Sequence, residues 1–181
     1  MNDGLIPNRY AKALYLYATE NGEADAVYEQ MARLADSFAT RKELTKVVEN
    51  PFLPLAGKID LLLTAAGAAS GKSLDKFFRL VFSHRREALI QPMALAYGRK
   101  YRETHGISQV EIVTASPLPE KTMEELKTAV QSHLDGRKLE YRERVDGSLI
   151  GGFTVKADSE LLDASMKNEL RKLRLKLLSR K

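Results

Sequence analysis

The 181-residue sequence contains no cysteine. This absence excludes disulfides, thiolate catalysis and cysteine-ligated metal sites, and it fits a reducing compartment. The sequence also lacks any apolar run close to the roughly 20 residues that a membrane-spanning helix needs. Residues 1–10 have neither the apolar core of a signal peptide nor the Arg- and Ser-rich character of a transit peptide, so we expect a cytoplasmic location.

Positive charge exceeds negative charge only slightly in this sequence. The sequence has 29 Lys and Arg against 24 Asp and Glu, which gives a net charge of +5. A nucleic-acid-binding protein usually concentrates its basic residues on one face, and here only residues 167–181 are rich in them. We therefore expect no nucleic acid partner. A basic nucleic-acid-binding module, or a helix that binds an anionic membrane surface, is the alternative that this segment leaves open.

The sequence also lacks any spacing of side chains that would indicate a catalytic or metal site. His84, His105 and His133 lie far apart without ligand spacing. Glu124 and Glu125 are adjacent in a helical segment, so they point about 100° apart and are wrongly placed to act on one bond. We therefore expect no catalytic residues, no metal site and no cofactor.

Residues 67–73 end like a phosphate-binding loop, with the sequence Gly-Ala-Ala-Ser-Gly-Lys-Ser. Such a loop needs four residues between its glycines and follows a buried strand. Here three residues separate the glycines, and the preceding segment has helical spacing. We interpret these residues as a connection between helices. A small nucleotide hydrolase that depends on Lys72 is the competing hypothesis.

Residues 1–105 repeatedly place apolar side chains at helical spacing. Six segments do so: Ile6, Tyr10, Leu14 and Tyr17; Val27, Met31, Leu34 and Phe38; Leu44, Val47 and Val48; Ile59, Leu62, Leu63 and Ala66; Leu74, Phe77, Phe78, Val81 and Phe82; and Met93, Ala96 and Tyr97. Asn50 and Pro51 end the third segment, because a residue before proline is pushed out of the helical conformation. The pattern predicts a six-helix bundle.

The period changes at Ser108, where Val110, Ile112 and Thr114 alternate with polar neighbours as in a half-buried strand. Next, a helix is predicted with Met123, Leu126, Val130 and Leu134 on one side, and it ends at Gly136. Two strands follow, one with Leu139, Tyr141 and Val145 and one with Phe153 and Val155. After a turn at Asp158 and Ser159, a short strand at Leu161 and Leu162 leads to a basic last helix. Residues 106–181 therefore predict a small α/β C-terminal domain, which gives the chain an α+β fold class. Its size is near the lower limit for independent stability, so we expect it to rely on a partner.

A double glycine, Gly151 and Gly152, lies in an apolar run that follows Asp146 and Gly147. Asp bonds its own backbone and Gly accepts positive φ, so a tight turn is expected before the run. Glycine inside a strand marks a close approach of the backbone to another element. Further along, Asp163 or Ser165 is expected to cap the last helix.

Residues 145–178, taken in order, resemble the C-terminal signature of the delta subunit of the rotary ATP synthase, the family that includes the mitochondrial oligomycin sensitivity conferring protein. Four other segments resemble the family as well: residues 9–14, Asn50 and Pro51 with Lys58, residues 77–80 with Arg86, and residues 113–118. Departures from the usual pattern occur at His84 and Arg85, at Ala164 and at residues 167–169. These departures bear on contacts at the last helix.

The resemblance implies a non-catalytic stator subunit without a cofactor. In the family, the helical domain holds the N-terminal helix of an alpha subunit in an apolar groove between its first and fifth helices. The C-terminal domain holds the C-terminal end of the peripheral stalk b subunits. The resemblance also implies one copy per complex, at the cytoplasmic face of the bacterial cell membrane, with membrane attachment only through the complex.

Candidate residues follow for each contact. For the alpha subunit they are Tyr10, Ala11, Leu14, Phe78, Arg79 and Phe82. The small side chain of Ala11 would admit a partner helix, whereas the aromatic residues have the alternative of forming the bundle core. For the stalk they are Met166, Leu170, Leu173 and Leu177, a stripe that we also expect to cover the small sheet. The structural motif comprises Asp146, Gly151, Gly152, Asp163 and Ser165.

Overall fold

A computed structural model describes residues 4–69, 71–134, 138–157 and 160–178. Over these residues the chain forms eight α-helices and one four-stranded sheet. The predicted α+β fold class is therefore confirmed. The chain divides between Thr104 and His105 into two compact units, which we call unit 1 and unit 2 and describe separately.

Unit 1 is helical. Its helices are α1 (Leu5–Glu20), α2 (Ala24–Thr40), α3 (Lys42–Glu49), α4 (Leu55–Ala66), α5 (Ser73–Ser83) and α6 (Ile90–His105), with a short 3-10 turn at Glu87–Leu89. Each of the six apolar segments in the sequence falls within one of these helices, in the same order. The helices therefore form where helical spacing of apolar residues indicated them.

Local sequence explains where α3 and α4 end. Asn50, directly after α3, is extended with φ −67° and ψ 116°, as expected for a residue that precedes proline. Gly67 follows α4 in the left-handed region with φ 65°, where residues with a Cβ are disfavoured. The predicted end of α3 is confirmed, and α4 ends where the predicted connection at residues 67–73 begins.

The interior of unit 1 consists of the apolar faces of its helices. The largest fully buried side chains are Tyr97, Phe78, Met31, Leu34, Ile59, Leu62, Leu74, Ile90, Met93, Val27 and Val48. Burial of each large apolar side chain contributes about 1.5 to 3 kcal/mol. With Ala11, Leu14 and Ala18 of α1 also buried, all six helices contribute to the apolar interior of unit 1.

Tyrosine side chains form contacts between α6 and α2. The rings of Tyr28 and Tyr101 stack with centroids 4.2 Å apart, and the Tyr101 hydroxyl donates to Asp25 Oδ1 at 2.7 Å. The Tyr97 hydroxyl donates to the Ala24 carbonyl at 3.1 Å. Burial, reinforced by the Asp25 carboxylate, raises the pKa of Tyr101 to about 12. Both hydroxyls therefore remain protonated donors at neutral pH.

Unit 2 combines helices and strands. Its elements are β1 (Ile107–Thr114), α7 (Glu120–His133), β2 (Lys138–Val145), a short 3-10 turn (Gly147–Leu149), β3 (Gly152–Ala157), β4 (Glu160–Ser165) and α8 (Met166–Leu178). The strand order is β2-β1-β3-β4. β1 and β2 are parallel and are joined through α7, while β3 is antiparallel to both β1 and β4. The predicted helix end at Gly136 and turn at Asp158 and Ser159 lie outside the described residues.

One face of the sheet forms the core of unit 2. Along β1, Ser108, Val110, Ile112 and Thr114 are buried and the residues between them are half-buried, which confirms the predicted alternation. Val130 of α7 completes the buried cluster. The expectation that the last helix covers this sheet is wrong, because α8 has no buried residue. α7 covers part of the core face instead.

Candidate partner-binding sites

The double glycine shapes the turn that leads into β3. Gly152 has φ 76°, and a Cβ added there would lie on the carbonyl oxygen of Ala164. At Gly151 an added Cβ would be 2.8 Å from the Met166 sulfur, and the Gly151 carbonyl accepts from the Met166 amide at 3.0 Å. The predicted close backbone approach is confirmed. The turn thereby ties the start of β3 to the end of β4 and the start of α8.

Two aspartates bond the backbone beside this turn. Asp146 Oδ1 accepts from the Ser148 amide at 2.9 Å. Asp163 Oδ1 accepts from the Ser165 hydroxyl at 2.6 Å and from its amide at 3.0 Å. Ser165 Oγ in turn accepts from the Asn168 amide at 3.2 Å, so Ser165 caps α8 as predicted. The hydrogen bonds from Ser148 lower the pKa of Asp146, and those from Ser165 lower the pKa of Asp163.

Unit 2 is expected to lose stability in acid because of these two carboxylates. A carboxyl whose pKa is lowered in the folded state stabilises above its unfolded pKa, and this stabilisation disappears as the pH falls through the folded pKa. Urea unfolding of unit 2 can be monitored by hydrogen exchange at a series of pH values. The urea concentration at the midpoint of unfolding should fall when the pH is lowered below about 4. Asp163→Asn should make this drop shallower. Glu125→Gln, which removes an exposed acid from α7, is the control, and equal pH profiles for wild type and Asp163→Asn would contradict the prediction.

Three of the six candidate alpha-binding residues are interior residues of unit 1. Ala11 is 1%, Leu14 3% and Phe78 0% exposed. Tyr10 and Phe82 are half-buried. Arg79 extends to the surface, where its Nε donates to Asp75 Oδ1 at 2.8 Å. The candidate set therefore combines core residues with surface residues.

The structure brings α1 and α5 together, but through other residues of α5. Tyr10 meets Phe77 edge-on with ring centroids 6.3 Å apart, and its hydroxyl accepts from Arg86 at 3.1 Å. Phe82 is five positions beyond Phe77 and so lies about 140° away around the helix. There its ring centroid is 5.7 Å from Lys58 Nζ of α4. Phe82 therefore faces α4, whereas Tyr10 faces α5.

The exposed edge between α1 and α5 includes residues absent from the candidate set. On α1, Ile6, Ala13 and Tyr17 lie within about 60° of Tyr10, and Ala13 is exposed. On α5, Leu80 is 47% exposed. Leu80 lies four positions after Lys76 and four before His84, so the three side chains are neighbours along one side of α5. Lys76 donates to the Tyr17 hydroxyl of α1 at 2.9 Å. We call Ile6, Tyr10, Ala13, Tyr17 and Leu80 the α1–α5 cleft. The spacing of Ile6, Tyr10 and Tyr17 was the sequence signal for it.

The candidate stalk residues form an uncovered stripe on α8. Met166, Leu170, Leu173 and Leu177 are 56%, 53%, 54% and 74% exposed. Their spacing of four, three and four positions keeps them within an arc of about 60°. The structure thus brings these four residues to one face and leaves that face open.

An apolar groove lies next to α7 on the core face of the sheet. Leu126 and Val130 of α7 form one wall, Phe153 and Val155 of β3 form the floor, and Leu162 of β4 lies on the far side. Its volume is about 560 Å³. A helix packs about 10 Å wide on strands about 4.8 Å apart, so α7 alone does not cover four strands. Sequence reasoning missed this groove because it depends on the strand order.

Residues 67–73 have the setting of a helix connection, as interpreted. A helix, α4, precedes them rather than a strand. Glu23 accepts from the Ser73 amide at 3.2 Å and from its hydroxyl at 2.6 Å, and Lys72 Nζ is 4.0 Å from the same carboxylate. The groups that would bind phosphate therefore face an anion. Ser70 lies outside the described residues.

The described residues contain neither a candidate membrane-spanning helix nor a candidate metal-binding cluster. No helix among them combines the length and the apolar character needed to cross a membrane. In the same residues, no three His, Asp or Glu side chains come close enough together to hold a metal ion.

Comparison with known proteins decides the family. The sequence model of the ATP synthase delta (OSCP) subunit matches residues 6–177. The chain belongs to this family. It is 35% identical over 178 residues to ATP synthase subunit delta of Phocaeicola vulgatus, covering 98% of this chain and 96% of that protein. The same subunit of Bacteroides fragilis is 34% identical over 182 residues, covering 99% and 97%.

Membership of the delta (OSCP) family makes the chain a non-catalytic structural subunit of the ATP synthase, in its F1 sector, serving ATP synthesis and ion transport. A chain in the structure of the Toxoplasma gondii mitochondrial ATP synthase hexamer has the same fold, with a TM-score of 0.72. It is 18% identical, and the match covers 95% of this chain and 97% of that chain. At this identity the likeness shows the fold alone.

Proposed function

We propose that this delta-family subunit belongs to the stator of the proton-translocating ATP synthase and links the catalytic head to the peripheral stalk. In this proposal residues 1–105 form a six-helix bundle that binds the N-terminal helix of an alpha subunit. Residues 106–181 bind the b subunits of the stalk. One copy per complex acts at the cytoplasmic face of the bacterial cell membrane, held there only by the complex.

The observation that supports the proposal is an exposed apolar helix surface on each unit. Unit 1 exposes the α1–α5 cleft, and unit 2 exposes the stripe on α8. An amphipathic partner helix binds such a surface by placing its own apolar side chains along it. Two such surfaces in one chain would let it hold two partners against the torque of the rotor, without any chemistry of its own.

On the alpha side, the buried candidates form the support of the site. Ala11, Leu14 and Phe78 pack inside unit 1 and position the surrounding helices. A partner helix would meet Tyr10, with Ala13 as the small residue that permits close approach and Leu80 on the opposite wall. Arg79 and Phe82 lie outside this cleft, and Arg79 is exposed and paired with Asp75.

The proposed linkage is tested with tagged full-length protein added to membranes that lack their own copy. Recovery of both the alpha and the b subunits with the tagged chain is the expected result. Recovery of neither would overturn the proposed function. Restoration of proton-coupled ATP synthesis in the same membranes gives an independent readout, since a stator that fails to anchor the head uncouples rotation from synthesis.

Ala13→Trp is expected to reduce recovery of the alpha subunit in this assay by at least about tenfold, because the bulky side chain would keep a partner helix from approaching closely in the cleft. Recovery of b should not change. Ala32→Trp is the matched control, since Ala32 is likewise an exposed alanine within a helix, on α2. Both variants should unfold near the wild-type temperature. Wild-type alpha recovery with a folded Ala13→Trp protein would remove the α1–α5 cleft from the interface.

A further inference from the structure

The exposed stripe of α8 follows the heptad pattern of a coiled coil. With Leu170 and Leu177 at a positions, Met166 and Leu173 fall at d positions. All four side chains are more than half exposed. α8 is about 20 Å long, so the stripe offers nearly two heptads to a partner. The pattern matches a helix that pairs with another helix.

Basic residues flank the stripe on both sides. The e positions are Lys167 and Arg174, and the g positions are Glu169 and Lys176. In a coiled coil the e and g side chains lie next to the partner and determine which partner is accepted. Glu169 already pairs with Lys172 of the same helix at 2.8 Å. The surface beside the stripe is therefore predominantly positive.

We propose that α8 binds an amphipathic helix whose apolar a and d residues are flanked by Asp and Glu, in a coiled-coil arrangement. This inference rests on the proposed function, in which unit 2 holds the stalk, and it specifies the chemistry of the stalk segment that α8 recognises. Acidic side chains opposite Lys167, Arg174 and Lys176 would form attractive pairs at the edges of the interface. The same basic residues disfavour pairing between two copies of this chain.

The full-length protein is tested with two labelled synthetic peptides. Both carry Leu at every a and d position over about three heptads; one carries Glu at e and g, and the other carries Lys. Fluorescence anisotropy should show that the Glu peptide binds and that the Lys peptide binds at least about tenfold more weakly. Raising the salt concentration should weaken binding of the Glu peptide and reduce the difference in affinity between the two peptides.

Leu173→Asp should weaken binding of the Glu peptide by about tenfold or more, because it places a charge within the apolar seam. Leu175→Asp is the control, since Leu175 is 60% exposed but lies about 160° away around the helix. Circular dichroism verifies that both variants are folded. Equal binding by the two variants, or equal binding of the two peptides, would overturn the proposal.

Other occupants give different results. Sedimentation of a dimer that Leu173→Asp dissociates would assign the stripe to a second copy of this chain. Binding to vesicles of anionic phospholipid, with no binding of the Glu peptide, would assign it to a lipid surface. Either result overturns the proposal. In the membrane pull-down, recovery of b subunits by Leu173→Asp at the wild-type level would overturn this inference and leave the stator function standing.

Discussion

Replacing Gly152 by alanine is expected to destabilise unit 2 by about 3 kcal/mol or more. Gly152 has φ 76°, which is unfavourable for alanine, and the added Cβ would collide with the Ala164 carbonyl oxygen. This atom belongs to the paired strand β4, so the collision cannot be relieved by moving a flexible side chain. Gly152 is opposite Ser165 in the sheet, so separating the strands would also disturb the cap of α8.

Gly147→Ala in the same turn is the matched control. A Cβ there has no heavy atom within 4 Å, and its φ is not positive. A change of less than about 0.5 kcal/mol is expected. Hydrogen exchange with mass spectrometry, read on peptides from residues 138–157, reports unit 2 separately from unit 1. Wild-type exchange protection in Gly152→Ala would contradict the close approach of β3 and β4.

The requirement at Gly152 was predictable because it is local. A glycine pair inside an apolar run has few explanations other than backbone approach or positive φ, and the structure has both. The same turn also contains Ile150 with φ 69°. A β-branched residue rarely adopts this conformation, so nothing in the sequence marked it. Local rules thus predicted the glycine but not the strained neighbour, which the surrounding turn imposes.

The burial of helical stripes was predictable only in part. Spacing indicates which residues share a face, and it correctly placed Met31 and Leu34 inside unit 1. It does not tell whether a face packs within the chain or against a partner. Leu173 and Phe78 both lie on apolar stripes, yet Leu173 is 54% exposed and Phe78 is 0% exposed. The difference arises from tertiary packing, which periodicity does not contain.

Strand order was beyond sequence reasoning for a related reason. β3 lies between β1 and β4, and β2 joins the opposite edge of β1. Alternation in β1 predicted one buried face, but the choice of neighbours depends on contacts far apart in the chain. The groove beside α7 follows from that order, because β4 extends the sheet beyond the reach of a single helix. Its residues come from three separate elements, so no single motif identified it.

Phe78→Ala is expected to lower the stability of unit 1 by about 3 to 5 kcal/mol, since it removes a fully buried ring and leaves a cavity. For a domain of this size, such a loss lowers the melting temperature by more than about 10 °C. Phe78 was a candidate for direct contact with the alpha subunit. Its burial predicts instead that the variant loses alpha binding only because the fold is weakened.

Leu80→Ala on the same helix separates the two roles. Leu80 is 47% exposed, so its truncation should cost less than about 1 kcal/mol and lower the melting temperature by less than about 8 °C. Because Leu80 lines the α1–α5 cleft, alpha recovery in the membrane pull-down should nevertheless fall severalfold. Thermal unfolding followed by circular dichroism is measured for both variants beside the pull-down. A stable Phe78→Ala protein that fails to recover alpha would place the phenylalanine in the interface, whereas a stable Leu80→Ala protein with wild-type recovery would exclude the cleft.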